Sequence, residues 1–369
     1  MAAGLPRRIA LFCLPGIGDA ILFTPALSLL RQAFPAARIV VITMFKGAAD
    51  ILETNPDLDE VRQYDFFHAR WLDGIRYILG LRREGFDLSI MPFPSNRREY
   101  NIVNRIVGRR WRAGHRYQHH NRRNFFFLHN IVVREDGTLH NVEENLRLVR
   151  AICERVGVPV PAAEPRLKLV LTPHDEAYAT ELLQKHSIDF QAPLIGFHTY
   201  SSTFKNMHRK CWAKENFVAL IRQLSAEQPA ARFLIFSGPS DRAVNQYIMQ
   251  NIDHRVVLVE EANLRRAVAL LKRCRAFVSN DSGLMHLAAA VNVPVVALFG
   301  PTNWRRLHPW TQRQVIIHKD LPCMPCFYYS SRPLRCPAGL DYACMRDITV
   351  EEVGAAVTRM IDWKEPLST

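Results

Sequence analysis

The chain has 369 residues, 48% of them apolar and 22% charged, which is enough for two ordinary globular domains and argues against extended disorder. Lys and Arg outnumber Asp and Glu by 48 to 35, a formal charge of +13, so the favoured partners are anionic: a nucleotide, a phosphorylated glycan, a nucleic acid or a membrane surface. No stretch reaches about 18 consecutive apolar residues, so no transmembrane helix is expected, and the eight cysteines show no secretory disulfide pattern.

Arg7-Arg8 before "IALFCL" has the look of a signal peptide. The apolar run is short, however, and Pro15, Gly16 and Asp19 break the segment after it. A first core strand, "RRIALFCLPG", fits better, and the cytoplasm is the expected location, with peripheral contact to the inner face of the cytoplasmic membrane left open. A helix follows from Asp19 to Phe34. It turns Ile21, Leu22, Ala26, Leu29, Leu30 and Ala33 toward the core, and Pro25 is expected to bend it. "ARIVVIT" and "FDLSIMPFP" (Phe86 to Pro94) read as further strands. Strands alternating with helices predict a parallel sheet covered on both faces.

The Pro-rich passage from Gly157 to Pro173 is the best interdomain linker. Beyond it the pattern restarts. "APLIGFHT" is a strand, "KENFVALIRQLSA" an amphipathic helix, "ARFLIFSG" a strand and "NLRRAVALLKRC" a helix. "FVSNDSGLMHLAAAVNVPVVALFG" reads as strand, tight turn, helix, strand. The last helix, Thr349 to Trp363, opens with a capping box of Thr349 and Glu352. Three parts are expected: an N-terminal acceptor domain over 1–168, a donor domain over 169–348, and a terminal segment, 349–369, packing back toward the first domain. Two α/β halves predict a ligand cleft at the carboxyl ends of their strands.

Two sharp corners carry chemistry. At Asp281-Ser282-Gly283, a helix N-terminus offers unpaired amides and partial positive charge, Gly283 permits close approach of a ligand, and Ser282 adds a hydroxyl. That suits a phosphate, while Asp281 could accept hydrogen bonds from sugar hydroxyls. Plain helix capping by Asp281 or Ser282 is the alternative. The other corner, "LPGIGDAILF", places Gly16 and Gly18 between strand and helix, with Asp19 at the helix start. It is no dinucleotide fingerprint, because Ile21 stands where the third glycine belongs. Asp19 reads either as an N-cap or as a proton acceptor for an attacking hydroxyl.

Together the corners resemble glycosyltransferase family 9, the ADP-heptose:lipopolysaccharide heptosyltransferases. "GIGDAILFTPALSLLRQAFP" is similar to the family's Gly-Asp helix opening, and "SNDSGLMHLAAAVNVPVVALFGPT" to its Asp-Ser/Thr-Gly-x-x-His-x-Ala-Ala block. "KCWAKENFVALI" is similar to its Lys-x-Trp segment, and "CMPCFYYSSRPLRCPAGLDYACMRDITVEEV" to its cysteine-bearing passage. The resemblance implies a GT-B fold, with two Rossmann-like α/β domains facing across a cleft. It implies inverting transfer of heptose from a nucleotide diphosphate sugar to an acceptor hydroxyl, without a cofactor or an essential metal. Asp19 matches the family's proposed base. Asp281, Ser282 and Gly283 match its donor corner, Lys210 its phosphate-binding lysine, and Ser201 and Ser202 its upstream hydroxyls. The segment between those serines and Trp212 is long here, so Lys205 rivals Lys210. Asp241 is expected near the donor ribose, and His286 reads as a structural histidine or a phosphate contact.

From Arg97 to Arg123 the chain holds nine arginines and one acid, Glu99. Arginine forks pair well with phosphate and carboxylate, so this stretch is expected to face an anionic acceptor, such as a phosphorylated lipopolysaccharide core, or lipid headgroups. Gly18, Arg97, Arg98 and Arg116 are the expected acceptor contacts. A merely solvated basic surface is the alternative, and no groove-reading motif supports nucleic acid. Cys323, Cys326, Cys336 and Cys344 form C-x2-C-x9-C-x7-C, which suits a structural zinc, reduced thiols or a disulfide. Three further functions stay in view: the same fold with another nucleotide sugar, a non-catalytic nucleotide-sugar-binding protein, and an NAD-dependent oxidoreductase. The missing third glycine disfavours the last.

Overall fold

The computed structural model describes residues 4–119, 122–162, 164–202, 204–238, 240–252, 255–329 and 333–362. The chain divides into two compact units, Met1–Val170 and Leu171–Thr369. The division falls inside the expected linker.

The first unit has strands β1 (Arg8–Cys13), β2 (Arg38–Thr43), β3 (Glu60–Gln63), β4 (Leu88–Ile90), β5 (Trp111–Arg116) and β6 (Ile131–Arg134). They form one parallel sheet in the order β3-β2-β1-β4-β5-β6. β1 and β2 are each buried at every position but the first, as expected of strands covered on both faces. The expected helix from Asp19 to Phe34 is two helices, Ile17–Leu22 and Thr24–Ala33, which meet at Phe23. Proline lacks an amide hydrogen and is tolerated in a first turn, so Pro25 sits at the start of a new helix instead of bending one.

The second unit has β7 (Leu194–His198), β8 (Arg232–Phe236), β9 (Val256–Val259), β10 (Ala276–Asn280), β11 (Val295–Leu298) and β12 (Gln314–Ile317). Their order, β12-β11-β10-β7-β8-β9, is the same winding as in the first unit. Successive residues go to opposite faces: Ile195, Phe233, Val278 and Val296 join one apolar cluster, and Leu194, Leu234, Phe277 and Val295 the other. In each sheet the chain reverses its direction of travel at one place, between β1 and β4 or between β7 and β10. Such a switch point is where doubly wound sheets bind ligands.

The final helix is Val350–Ile361; Trp363 and the rest of the tail lie outside the described residues. Its capping box is formed: the Thr349 hydroxyl accepts from the Glu352 amide at 3.2 Å, and the Glu352 carboxylate accepts from the Thr349 amide at 2.9 Å. Val353, Val357 and Met360 of this helix are buried in the second unit with helix Lys214–Glu227 and the β10–β12 side of the sheet. Its apolar stripe already has a partner there. Met360→Ala is therefore expected to lower the stability of the second unit by about 2–5 kcal/mol in urea denaturation. A loss within about 0.5 kcal/mol, the range for a surface position, would contradict this packing.

Candidate active site

The second unit's switch point gathers the ends of β7, β8 and β10. After β10 the chain turns through Asp281 and Ser282 into helix Gly283–Ala290. Ser282 occupies the N-cap position with extended backbone (φ −150°, ψ 168°), yet no side chain caps the helix. Its hydroxyl turns instead to His198 Nδ1 at 2.8 Å and Ser279 Oγ at 3.1 Å. Asp281 does not cap either: its Oδ2 accepts from Lys210 Nζ at 2.7 Å, with the two side chains 7% and 12% exposed. Capping is thus not what these residues do. The helix keeps first-turn amides without a side-chain partner, the arrangement that takes an anion.

The Lys210–Asp281 pair sets the electrostatics. Burial pushes the Asp281 carboxyl up, but the Lys210 ammonium outweighs it and holds the group below the usual carboxylate range. Lys210 is fixed in turn by its neighbour. Trp212 donates its amide to Asn280 Oδ1 at 2.9 Å and its indole N–H to the Ile348 carbonyl at 2.9 Å, so the Lys-x-Trp segment is tied to the end of β10. Lys205 lies elsewhere, at positive φ (54°) with its ammonium 5.2 Å from the Phe204 ring centre. Of the two lysines it is Lys210 that meets Asp281.

Asp241 is buried at the start of helix Arg242–Gln250. Its Oδ2 accepts the Gly238 amide at 2.9 Å and lies 3.6 Å from His198 Nε2. His198, the last residue of β7, thus bridges Asp241 and Ser282. Sequence reading passed it over, although a histidine ending a strand before "TYSS" was the available signal. Ser201 is half-buried and Ser202 exposed, with the Ser202 hydroxyl accepting from the Phe204 amide at 3.0 Å. His286 is buried one turn into the helix. Burial drives its pKa down to about 4, against the pull of Asp281.

The first unit's corner follows β1. Gly16, extended at φ −177°, is the N-cap of helix Ile17–Leu22, and Gly18 and Asp19 lie in its first turn. Asp19 is therefore not the N-cap. Its carboxylate sits where the helix dipole favours negative charge. A Cβ on Gly16 would come within 3.3 Å of Asp19 Oδ2, so glycine leaves room beside the carboxylate. Tyr100 is pushed above its usual pKa chiefly by burial, opposed by Arg97 and reinforced by Glu99 and Asp19.

The arginine stretch does not form one face. Helix Arg98–Val107 carries its middle to the amino edge of the sheet and β5 returns it, while its two ends meet at the carboxyl edge, where the Asn96 side chain donates to the His119 carbonyl at 3.4 Å and the Asn124 side chain to the Asn96 carbonyl at 3.3 Å. Arg116 closes β5 at the carboxyl edge, with its guanidinium 5.3 Å from the Phe126 ring centre, and Arg97 lies 5.7 Å from that of Tyr100. Arg98 is exposed and donates to Glu99 at 2.9 Å. At the amino edge Arg110 stacks 4.1 Å over Trp111 and donates to the Gly4 carbonyl at 3.2 Å. His120 and Asn121 lie outside the described residues.

All eight cysteines are free thiols. Cys326 donates its amide to the Pro301 carbonyl at 3.0 Å, and the sulfur of Cys344 packs at Gly300. Amides from Tyr342 and its neighbours hold the Cys336 thiol below its usual pKa. Among the described residues no group of three or more His, Cys, Asp or Glu side chains is placed to hold a metal.

Two doubly wound sheets, each with charged groups at its switch point, define an α/β enzyme of the GT-B class. The model of glycosyltransferase family 9 (heptosyltransferase) matches residues 78–335, and the chain belongs to that family; it is a glycosyltransferase. Lipooligosaccharide heptosyltransferase 2 of Haemophilus influenzae is 28% identical over 313 residues, 82% of this chain and 85% of that protein. The structure of E. coli ADP-heptose LPS heptosyltransferase II matches with a TM-score of 0.72 at 21% identity, over 96% of this chain and 98% of that one. The iron-containing dodecameric glycosyltransferase TibC of enterotoxigenic E. coli shares the fold more distantly, with a TM-score of 0.56 at 15% identity, over 96% of this chain and 76% of that one.

His286 makes stability depend on pH. Unfolded, it takes up a proton near its ordinary 6.5; folded, only near 4. The unfolded state binds more protons between those values, so stability is lost as pH falls from about 6.5 to about 4. His129 in the first unit, lowered to about 4 chiefly by burial, acts with the same sign. Denaturation across this window should show the loss, with a shallower slope in His286→Gln; an unchanged slope would count against the burial of His286.

Proposed function

We propose that the protein transfers heptose from ADP-heptose to a hydroxyl of the lipopolysaccharide inner core, with inversion at the anomeric carbon. The observation that carries this reading is the buried Lys210–Asp281 pair beside the uncapped first turn of helix Gly283–Ala290. The sugar and the acceptor come from the family and from the names of its relatives.

The acceptor oxygen bonds to the anomeric carbon as the bond from that carbon to the diphosphate oxygen breaks, and ADP leaves. Asp19 takes the acceptor's proton, a contribution of about 10²–10⁴-fold for a well-placed base. Negative charge grows on the departing diphosphate. Lys210, the Gly283 amide and the Ser282 hydroxyl are the donors for it, fixed before the substrate arrives and so costing little reorganisation. Asp281, Asp241, Ser201 and Ser202 complete the donor-binding set, with His198 orienting Ser282. Gly18, Arg97, Arg98 and Arg116 bind the acceptor. Of the two lysines, Lys210 is the phosphate contact, because it alone meets Asp281.

Incubation with a panel of nucleotide sugars and a truncated core acceptor, read by mass spectrometry, tests this. Product and ADP are expected from ADP-heptose. Asp19→Asn should lower kcat by about 10²–10⁴-fold with donor affinity retained. Lys210→Ala should weaken donor binding and also destabilise by about 3–5 kcal/mol, since it strands a buried carboxylate. Adding Asp281→Asn should restore stability but not donor binding. Turnover with another nucleotide sugar alone would transfer the same chemistry to a different glycan. Donor binding without turnover in the wild type would make the protein a binding module.

A further inference from the structure

Helix Trp71–Arg83 of the first unit buries one face and leaves the other apolar. Leu81 is buried, and Tyr77 and Ile78 pack on the core cluster that holds Phe86 and Val107. On the outer side Trp71, Ile75 and Leu79 recur every four residues, exposed by 73%, 44% and 42%, with Leu72 beside them at 42%. Phe45 and Phe67, exposed by 38% and 50%, lie against each other with ring centres 6.4 Å apart. They follow the ends of β2 and β3, so they stand at the carboxyl edge of the sheet, as the Asp19 corner does. Six of the exposed large apolar side chains thus fall within 35 residues of sequence, Phe45 to Leu79. Isolated exposed apolar residues need no explanation, but a stripe along one helix does.

The charges around the stripe say what covers it. Arg70, Arg76, Arg82 and Arg83 are all exposed on or beside this helix. Among the described residues the acids on or beside this helix are already paired: Asp65 binds His68, Asp73 pairs with Arg76 at 3.1 Å, and Glu84, at the helix end, pairs with Arg62. A second copy of the chain would bring the same arginines face to face in a two-fold contact, which like charge opposes. An anionic bilayer offers a partner for both parts: acyl chains for Trp71, Ile75 and Leu79, and phosphates for the arginines. The geometry points to this helix as the membrane-docking face of the protein, laid flat on anionic phospholipid with its aromatic end leading. The sequence alone offered lipid headgroups as one alternative partner of the Arg97–Arg123 stretch, which helix Arg98–Val107 and β5 divide between two edges. The inference is independent of the donor chemistry.

Flotation of the full chain with vesicles, in the absence of any donor, tests it. Vesicles of phosphatidylethanolamine with phosphatidylglycerol are compared with vesicles of phosphatidylcholine alone. The wild type should float with the anionic vesicles and lose this at high salt. Trp71→Ser/Ile75→Ser/Leu79→Ser should weaken binding by at least about tenfold, and Arg76→Glu/Arg83→Glu should do the same for anionic vesicles. Phe190→Ser, at an exposed apolar site of the second unit, should bind as wild type. Thermal unfolding of each variant checks the fold. The conservative Trp71→Phe, which should remove a vesicle-induced blue shift in fluorescence, gives a second readout. A wild type that does not float, a triple variant that floats equally, or self-association that the triple variant abolishes would overturn the proposal.

Discussion

A parallel strand can reach its neighbour only by a crossover, and that requirement organises both units. Every strand of a sheet runs the same way, so every strand ends on the same edge, and several strand ends lead there into helices. Unpaired amides and turn residues collect at that edge. The winding reverses beside β1 in one unit and beside β7 in the other, which opens a gap between helices at those points. Asp19 follows β1; Asp281 follows β10, the neighbour of β7. Neither position is an accident of the local sequence, because each is where this topology leaves polar groups exposed to a ligand.

The Asp281 corner is held in place by buried charge. Asp281 could not remain ionised at its depth without Lys210, and Lys210 could not sit there without Asp281. The pair contributes little net stability for its desolvation, but it stores a cation beside a helix N-terminus that no side chain closes. Around it the ends of three strands are cross-linked: Asn280 accepts from Trp212, and His198 links Ser282 to Asp241. Such links limit how far these groups can reorganise. The first unit is arranged differently. There Asp19 rests on a helix start, with Gly16 leaving space beside it.

Most strands with apolar runs were legible before any coordinates, although β9, with its run VVLV, was passed over. β1, β2, β8 and β11 carry that pattern, and β7 and β10 carry it up to the polar residues at their carboxyl ends, because a strand covered on both faces is apolar over most of its length. β5 was not legible. Its sequence, "WRAGHR", carries two arginines and a histidine, and His115 is buried only because the tertiary structure surrounds it. Missing β5 made the arginine stretch look like one surface. β3, at the edge and only partly buried, was missed for a related reason: edge position relaxes the apolar pattern that reveals a strand. The break at Phe23 was half visible, since Pro25 signalled an interruption but not which side of it the new helix would begin.

The sequence by itself determined the two-part α/β plan, the family and the two corners, because strand periodicity, turn residues and short motifs are local and survive in one dimension. Only the tertiary structure decided which lysine meets Asp281, that His198 stands between Asp241 and Ser282, that the last helix joins the second unit, and that an apolar stripe on helix Trp71–Arg83 faces outward. Each depends on residues far apart in the chain: 71 positions separate Lys210 from Asp281, and 84 separate His198 from Ser282. Periodicity says that a helix has an apolar side. It cannot say, when two sides are apolar, which of them the core has taken.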